Sequence, residues 1–271
     1  MTSLKSLSEI LFNEQNCIQY LLEKNIIKRV ERCSKCNIET RFYQRYFICR
    51  DRTCQKSISV FDQTFFSKSN IKCCDVLLIG YLWINKLKYQ RIKDMTDHVE
   101  NTLVKYIYTF RRLAVNSLSG NDFILGGDHV IVEIDESKFK DLWVLGMIER
   151  STKKCFFKVV NDREKETLTR IIKEHVRKGS TIYTDSWRGY QDLEHHGYRH
   201  LKVVHARASR RLQIMRIHTN HIERTWRTLK AFIPMEKRCL PIINEYLHEF
   251  IWRRKQRNNL WDEFLNLLRT Q

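Results

Sequence analysis

Val130-Ile131-Val132-Glu133-Ile134-Asp135 reads VIVEID, an apolar run that takes in one acid and ends on another. Strand alternation puts Val130, Val132 and Ile134 on one face and Ile131, Glu133 and Asp135 on the other. An acid closing such a strand is costly to bury without a partner or a cation. The run is the first of three, with LWVLGMIE (142–149) and KCFFKVV (154–160) following across short polar turns. A helix is expected over Arg163–Lys178, with Gly179 as its C-cap. STIYTD (180–185), a short helix through Tyr190, HLKVVH (200–205) and two helical pieces broken by Pro234 and Pro241 complete the region.

Three strands, helix, strand, helix, strand, helix is the element order of an RNase H-like α/β fold, a mixed five-stranded sheet flanked by helices. In that sheet the first and fourth strands are neighbours, so Asp135 and Asp185 are expected side by side. Two carboxylates so placed do not both ionise comfortably unless a divalent metal lies between them. Either Asp alone reads equally well as a turn or cap residue. The pair carries the argument.

Upstream of the Ser119-Gly120 and Gly126-Gly127 breaks lie two smaller regions. Residues 1–66 open with a helix expected over Ser8–Glu23. Cys33-x2-Cys36 and Cys49-x4-Cys54 follow, two thiol pairs on either side of a short aromatic hairpin. Four thiolates on two knuckles suit tetrahedral Zn²⁺ at about 2.3 Å, a structural site with no position open to water. Arg32, Lys35, Arg50 and Arg52 favour the thiolate forms. Cys17, Cys73, Cys74, Cys155 and Cys239 read as core residues. Residues 67–120 read as three helices, in CDVLLIGYLWINKL, YQRIKDMTDHV and NTLVKYIYTFRRLAVNSL. They fit a helix-turn-helix that lays its last helix in a DNA groove, and equally a plain three-helix packing element. Residues 121–271 make the third region.

Composition narrows the partners. The 271 residues carry 49 Lys+Arg against 31 Asp+Glu, a net charge of +18, which points to a polyanion. No apolar run reaches the roughly 18–20 residues of a membrane span, so no membrane partner is expected. The N-terminus lacks a secretory pattern, and nine cysteines in reducing surroundings point to metal binding or burial rather than disulfides.

In HTNHIERTWRTLK (218–230), Ile222, Trp226, Leu229 and Ile233 form a buried stripe and Asn220, Glu223, Arg227 and Lys230 a polar one. Asn220 as N-cap with Glu223 at N3 matches a capping box, and Glu223–Arg227 is an ordinary i,i+4 pair. A second reading makes Glu223 a metal ligand, aimed by the cap. His195, His196, His200, His205, His218 and His221 match no usual ligand spacing, and Mg²⁺ prefers oxygen.

The strings EIDESKF, WVLGMIER, TIYTDSWRGY, LEHHGYRHL and HTNHIERTWRTLK, in this order, resemble the ISXO2-like transposases and, more narrowly, the Merlin superfamily of DDE transposases. The likeness runs from about residue 25 to 255 and takes in a zinc ribbon and DNA-binding region. It implies an RNase H-like catalytic core in which Asp135, Asp185 and Glu223 hold two Mg²⁺ (or Mn²⁺) ions. Asn220 is the alternative third ligand, as related bacterial enzymes use, with Lys230 as a phosphate contact. Lys138, Arg188 and Arg227 are expected to touch nucleic acid, and Trp187 reads either as a base-stacking or a core aromatic.

The implied activity is cleavage at transposon ends and strand transfer into target DNA. The partners are double-stranded DNA, as terminal inverted repeats and target, and further copies of the chain in a homodimer or higher oligomer. The implied location is the nucleus in a eukaryote, or the cytoplasm and nucleoid in a prokaryote. Two departures from the family pattern bear on DNA positioning. Only Lys140, Asp141 and Leu142 separate EIDESKF from the WVLG string, and the segment between His205 and His218 has no acid. The competing readings are a transposase-derived protein that only binds DNA, and an RNase H-like nuclease without strand transfer.

Overall fold

The structure is a computed structural model describing residues 3–185, 188–203 and 218–269. Trp187, His205 and the basic segment after it lie outside the described residues. The chain forms two units, Met1–Ala114 with Gln256–Gln271, and Val115–Lys255.

In the first unit, α1 (Leu4–Leu11) and α2 (Glu14–Glu23) stand where one helix was expected. The break is at Asn13, whose side chain accepts the Asn16 N–H at 3.0 Å and caps a new helix. β1 (Thr40–Tyr43), β2 (Tyr46–Cys49) and β3 (Ser57–Ser59) form an antiparallel sheet. Beyond Ser59 the chain turns, closed by Thr64 donating from N and Oγ1 to Phe61 O. Three helices follow, α3 (Cys73–Ile84), α4 (Tyr89–Thr96) and α5 (Glu100–Asn116). Asp97, His98 and Val99 join the last two, with Asp97 left-handed at φ 52°. The helix Leu260–Arg269 packs on α3: a Cβ at Gly80 would overlap the Phe264 ring, which also meets Phe110 edge-on at 5.0 Å. The helix thus belongs to the first unit, although the third region is expected over 121–271.

In the second unit, β4 (Leu125–Gly126) precedes β5 (Ile131–Phe139), β6 (Leu142–Glu149) and β7 (Cys155–Val160), an antiparallel meander. α6 (Lys165–His175) is shorter than expected. Val176 leaves the helix to pair with Leu125, so β8 (Val176–Arg177) runs beside β4 and Gly179 (φ 83°) turns the chain after it. β9 (Thr181–Thr184) and β10 (Arg199–Lys202) add in parallel on the other side of β5. The sheet order is β10-β9-β5-β6-β7, the RNase H-like arrangement read from the element order. α7 (Asn220–Phe232) and α8 (Ile242–Lys255) complete the unit.

Two adjacent phenylalanines separate the layers, since consecutive strand residues face opposite ways. Phe157 meets Trp226 of α7 and Phe250 of α8, at 5.3 and 5.8 Å between centroids. Phe156 stacks at 3.8 Å on His175 of α6. The sheet is therefore apolar on both sides, as its continuous hydrophobic runs require. Among the described residues no helix is long and apolar enough to cross a membrane.

Candidate active site

The β5–β9 ladder pairs Ile131 with Thr181, Val132 with Ile182 and Glu133 with Tyr183. That offset of 50 (181 − 131) carries Asp135 to the level of Asp185, immediately after β9 ends. Pairing stops two residues earlier, at Glu133 and Tyr183, as β9 reaches its carboxyl end, the kind of edge where open α/β sheets form their crevices. Both aspartates are half-buried. Burial pushes the Asp135 carboxyl above its usual range, the charges of Asp185 and Glu223 add to the push, and hydrogen bonds from Trp226 and the Glu136 backbone oppose it.

Glu223 lies in the first turn of α7, exposed, and its Oε1 accepts from Thr219 Oγ1 at 3.0 Å. Thr219, not Asn220, is the N-cap residue, and Asn220 is the exposed first residue of the helix. The expected capping box is replaced by a stronger device. Glu133, fully buried on β5, accepts the backbone N–H groups of His221 and Ile222 on Oε2 at 2.9 and 3.0 Å. A carboxylate on free helix N–H groups satisfies them and complements the helix dipole. An amide cap at Asn220 is then unnecessary.

The other oxygen of Glu133 holds Arg150 Nε at 2.7 Å, and Arg150 Nη2 donates to His218 O at 3.0 Å. The Arg150 guanidinium also lies over the Tyr183 ring, 4.9 Å from its centroid. Strand, hairpin end and helix start are thus joined at one buried ion pair. Glu133 lies on the Asp135 face, as alternation predicts, with a task that only the tertiary contacts reveal; a second acid in an apolar strand is the signal for it.

Trp226, a member of the expected buried stripe, also bonds Asp135, its Nε1 donating to Oδ2 at 2.9 Å. Gly146, paired with Asp135 across β6, makes this possible, because a Cβ there would overlap the indole. On the opposite face of β5, Glu136 lies beside the buried Tyr190; burial pushes its carboxyl up to about 7, with Asp135 and Asp185 adding and Arg163 opposing.

The expected basic residues are less tightly gathered. Arg188 is exposed three residues after Asp185, and Arg227 is exposed one turn beyond Glu223. Lys230 lies nearer the far end of α7, its Nζ 5.5 Å from the Phe139 centroid. Lys138 projects from the Glu136 face, its Nζ 6.0 Å from the Trp143 centroid, away from the α7 side that holds Asp135.

Two donor sets suit metals. The repulsion that Asp185 and Glu223 exert on Asp135 is what a hard divalent cation relieves, through oxygen ligands. Cys33, Cys36, Cys49 and Cys54 place all four sulfurs within 4.8 Å of one another, the one such gathering of three or more candidate ligand atoms among the described residues. The three acids are more widely spaced than that. Cys33 and Cys54 sulfurs lie 3.8 Å apart, and Cys36 and Cys49 sulfurs 3.3 Å. A tetrahedron with Zn–S bonds of about 2.3 Å has edges of about 3.8 Å. Backbone N–H groups of Lys35 and Cys36 hold the Cys33 thiol down near about 6, favouring the thiolate a metal needs.

Residues 130–255 match the ISXO2-like transposase domain. No curated protein matches the chain. Among solved structures it is similar to the catalytic core domain of BIV integrase, at 13% identity over 45% of this chain and 82% of that one, with a TM-score of 0.33. It is also similar to a chain of the simian T-cell lymphotropic virus intasome in complex with PP2A regulatory subunit B56 gamma, at 13% identity and a TM-score of 0.34. That match covers 65% of this chain and 64% of that one.

Proposed function

We propose that this chain, which carries an ISXO2-like transposase domain over residues 130–255, is a DNA transposase that cleaves transposon ends and joins them to target DNA. The observation that supports it most is the strand register that levels Asp135 with Asp185, next to a helix whose first turn carries Glu223. Two Mg²⁺ or Mn²⁺ ions would be held by these three carboxylates. Such ions, when bound, activate water or a 3′-hydroxyl and stabilise the leaving oxygen in phosphoryl transfer. Glu223 is favoured over Asn220 as third ligand because an anionic carboxylate oxygen suits a hard divalent cation better than a neutral amide.

The chain's own residues supply placement. Asp135 and Asp185 are set by the sheet, and Glu223 by a helix start clamped on Glu133. Arg188, Arg227 and Lys230 would steady phosphates on the α7 side, and Lys138 would meet DNA from the α6 side. In the first unit, α4 and α5 would act as a helix-turn-helix, the second helix exposing Asn101, Lys105, Tyr108 and Arg112 along one stripe. That stripe carries no acid and suits a DNA groove. The four cysteines would hold a structural Zn²⁺. Handling two element ends calls for a homodimer or higher oligomer.

The test is incubation of purified protein with Mg²⁺ and labelled element-end DNA, beside Asp135→Asn. The expected result is end cleavage and joining by wild type and neither by the variant. Equal products from both proteins, or none from wild type, would overturn the catalytic reading. Cleavage without joined products would instead favour a nuclease.

A further inference from the structure

We propose that Trp226 is a positioning residue for Asp135, and that its indole N–H makes the first carboxylate competent to bind a divalent cation. The inference rests on the proposed metal site and concerns a residue outside the acidic triad.

α7 is attached to β5 at two points. Its backbone N–H groups at His221 and Ile222 bond Glu133, and its Trp226 side chain bonds Asp135. Between the two attachments the helix advances four to five residues, about 6–7.5 Å at 1.5 Å each. The strand advances two residues, about 6.6 Å at 3.3 Å each. The two spacings agree, so helix and strand meet in register, and two attachments stop α7 from sliding or rolling on the sheet. Glu223 rides on that same helix, three residues before Trp226.

The indole is held for this task. Trp226 is 6% exposed, and its ring lies against Phe157 at 5.3 Å and Phe139 at 6.0 Å. Gly146 leaves the space into which the ring settles. A core tryptophan needs a hydrogen-bond acceptor for its N–H, and a backbone carbonyl would serve. Here the acceptor is Oδ2 of a half-buried carboxylate with Asp185 and Glu223 nearby. The bond fixes the carboxylate's rotation and leaves its remaining lone pairs for a cation. Outer-shell donors of this kind typically alter metal affinity about 10–100-fold.

The experiment is calorimetric titration of Mn²⁺ into the full-length, zinc-loaded protein, for wild type, Trp226→Phe and Asp135→Asn, with thermal unfolding of each. Phenylalanine keeps a ring on Gly146 and removes the N–H. Trp226→Phe is expected to bind Mn²⁺ about 10–100-fold more weakly than wild type. Raising Mn²⁺ should then restore its DNA cleavage at an unchanged maximal rate. Should the smaller ring disturb the fold, site-specific replacement of Trp226 by its sulfur-for-N–H analogue keeps the bicycle and gives the same comparison. Wild-type affinity in the variant lacking the N–H, with binding lost in Asp135→Asn, overturns the role of Trp226 alone. Equal binding by wild type and Asp135→Asn, or none by wild type, removes the metal site and the inference together.

Discussion

Glu133 and Arg150 form an ion pair at 2.7 Å, with the Glu133 side chain fully buried and the Arg150 side chain 17% exposed. Its other carboxylate oxygen caps α7, so this pair decides where the helix begins. Removing one partner of a buried pair leaves an uncompensated charge and costs about 3–5 kcal/mol. Arg150→Met should therefore destabilise the second unit by about that much in a denaturant melt. Replacing both partners with Glu133→Met and Arg150→Met should cost less than the two single changes summed.

Gly146→Ala places a methyl where the Trp226 ring lies. Overpacking of this kind costs about 1–3 kcal/mol. A larger functional loss is expected, because relief comes by moving the indole off Asp135. Thermal unfolding and Mn²⁺ titration together check this, and a variant with unchanged Mn²⁺ affinity would show that the indole keeps its bond by other adjustment.

The cysteine cluster should bind one zinc per chain, with Cys36→Ser or Cys49→Ser reducing the content measured by elemental analysis. Because the sulfurs join the knuckles around β1 and β2, chelation should unfold this module while the RNase H-like unit keeps its own core. Limited proteolysis with and without chelator reads the difference, as new cuts within residues 25–66.

Burial holds His200 and His248 below their usual pKa, and His175 likewise. A histidine depressed in the folded state takes up its proton more readily when unfolded, so stability rises with pH across the interval. The contribution is complete above the unfolded value of about 6.5 and is lost as pH falls toward the folded values. The melting temperature should fall between pH 7.5 and pH 5.5. His248→Gln should flatten that fall, since burial alone depresses His248.

On α5, Lys105→Ala and Arg112→Ala should each weaken DNA binding and reduce the salt slope by about 1 if the side chain meets a phosphate. Binding to element-end DNA across a salt series reads this directly. An unchanged slope in both variants would place the DNA elsewhere.

The strand order follows from local chemistry that the sequence displays. Alternating and continuous apolar runs mark β5, β6 and β7, and the acid closing STIYTD marks where β9 stops, while β5 runs on past Asp135 to Phe139. The thiol spacing was equally legible, because two short knuckles are local objects. Helix ends were read less well: Asn13 broke one expected helix, and a long-range acceptor made Asn220 dispensable as a cap. Nothing near Glu133 in the chain announces that its oxygens meet N–H groups 88 and 89 residues away. Nothing near Trp226 announces that a glycine on another strand admits its ring beside Asp135. Sequence alone determined which residues carry charge and which elements form, since hydrophobic period and side-chain chemistry are local. Only the tertiary structure decided which acid caps the helix and which meets the indole, because burial gives each carboxylate a partner from elsewhere in the chain.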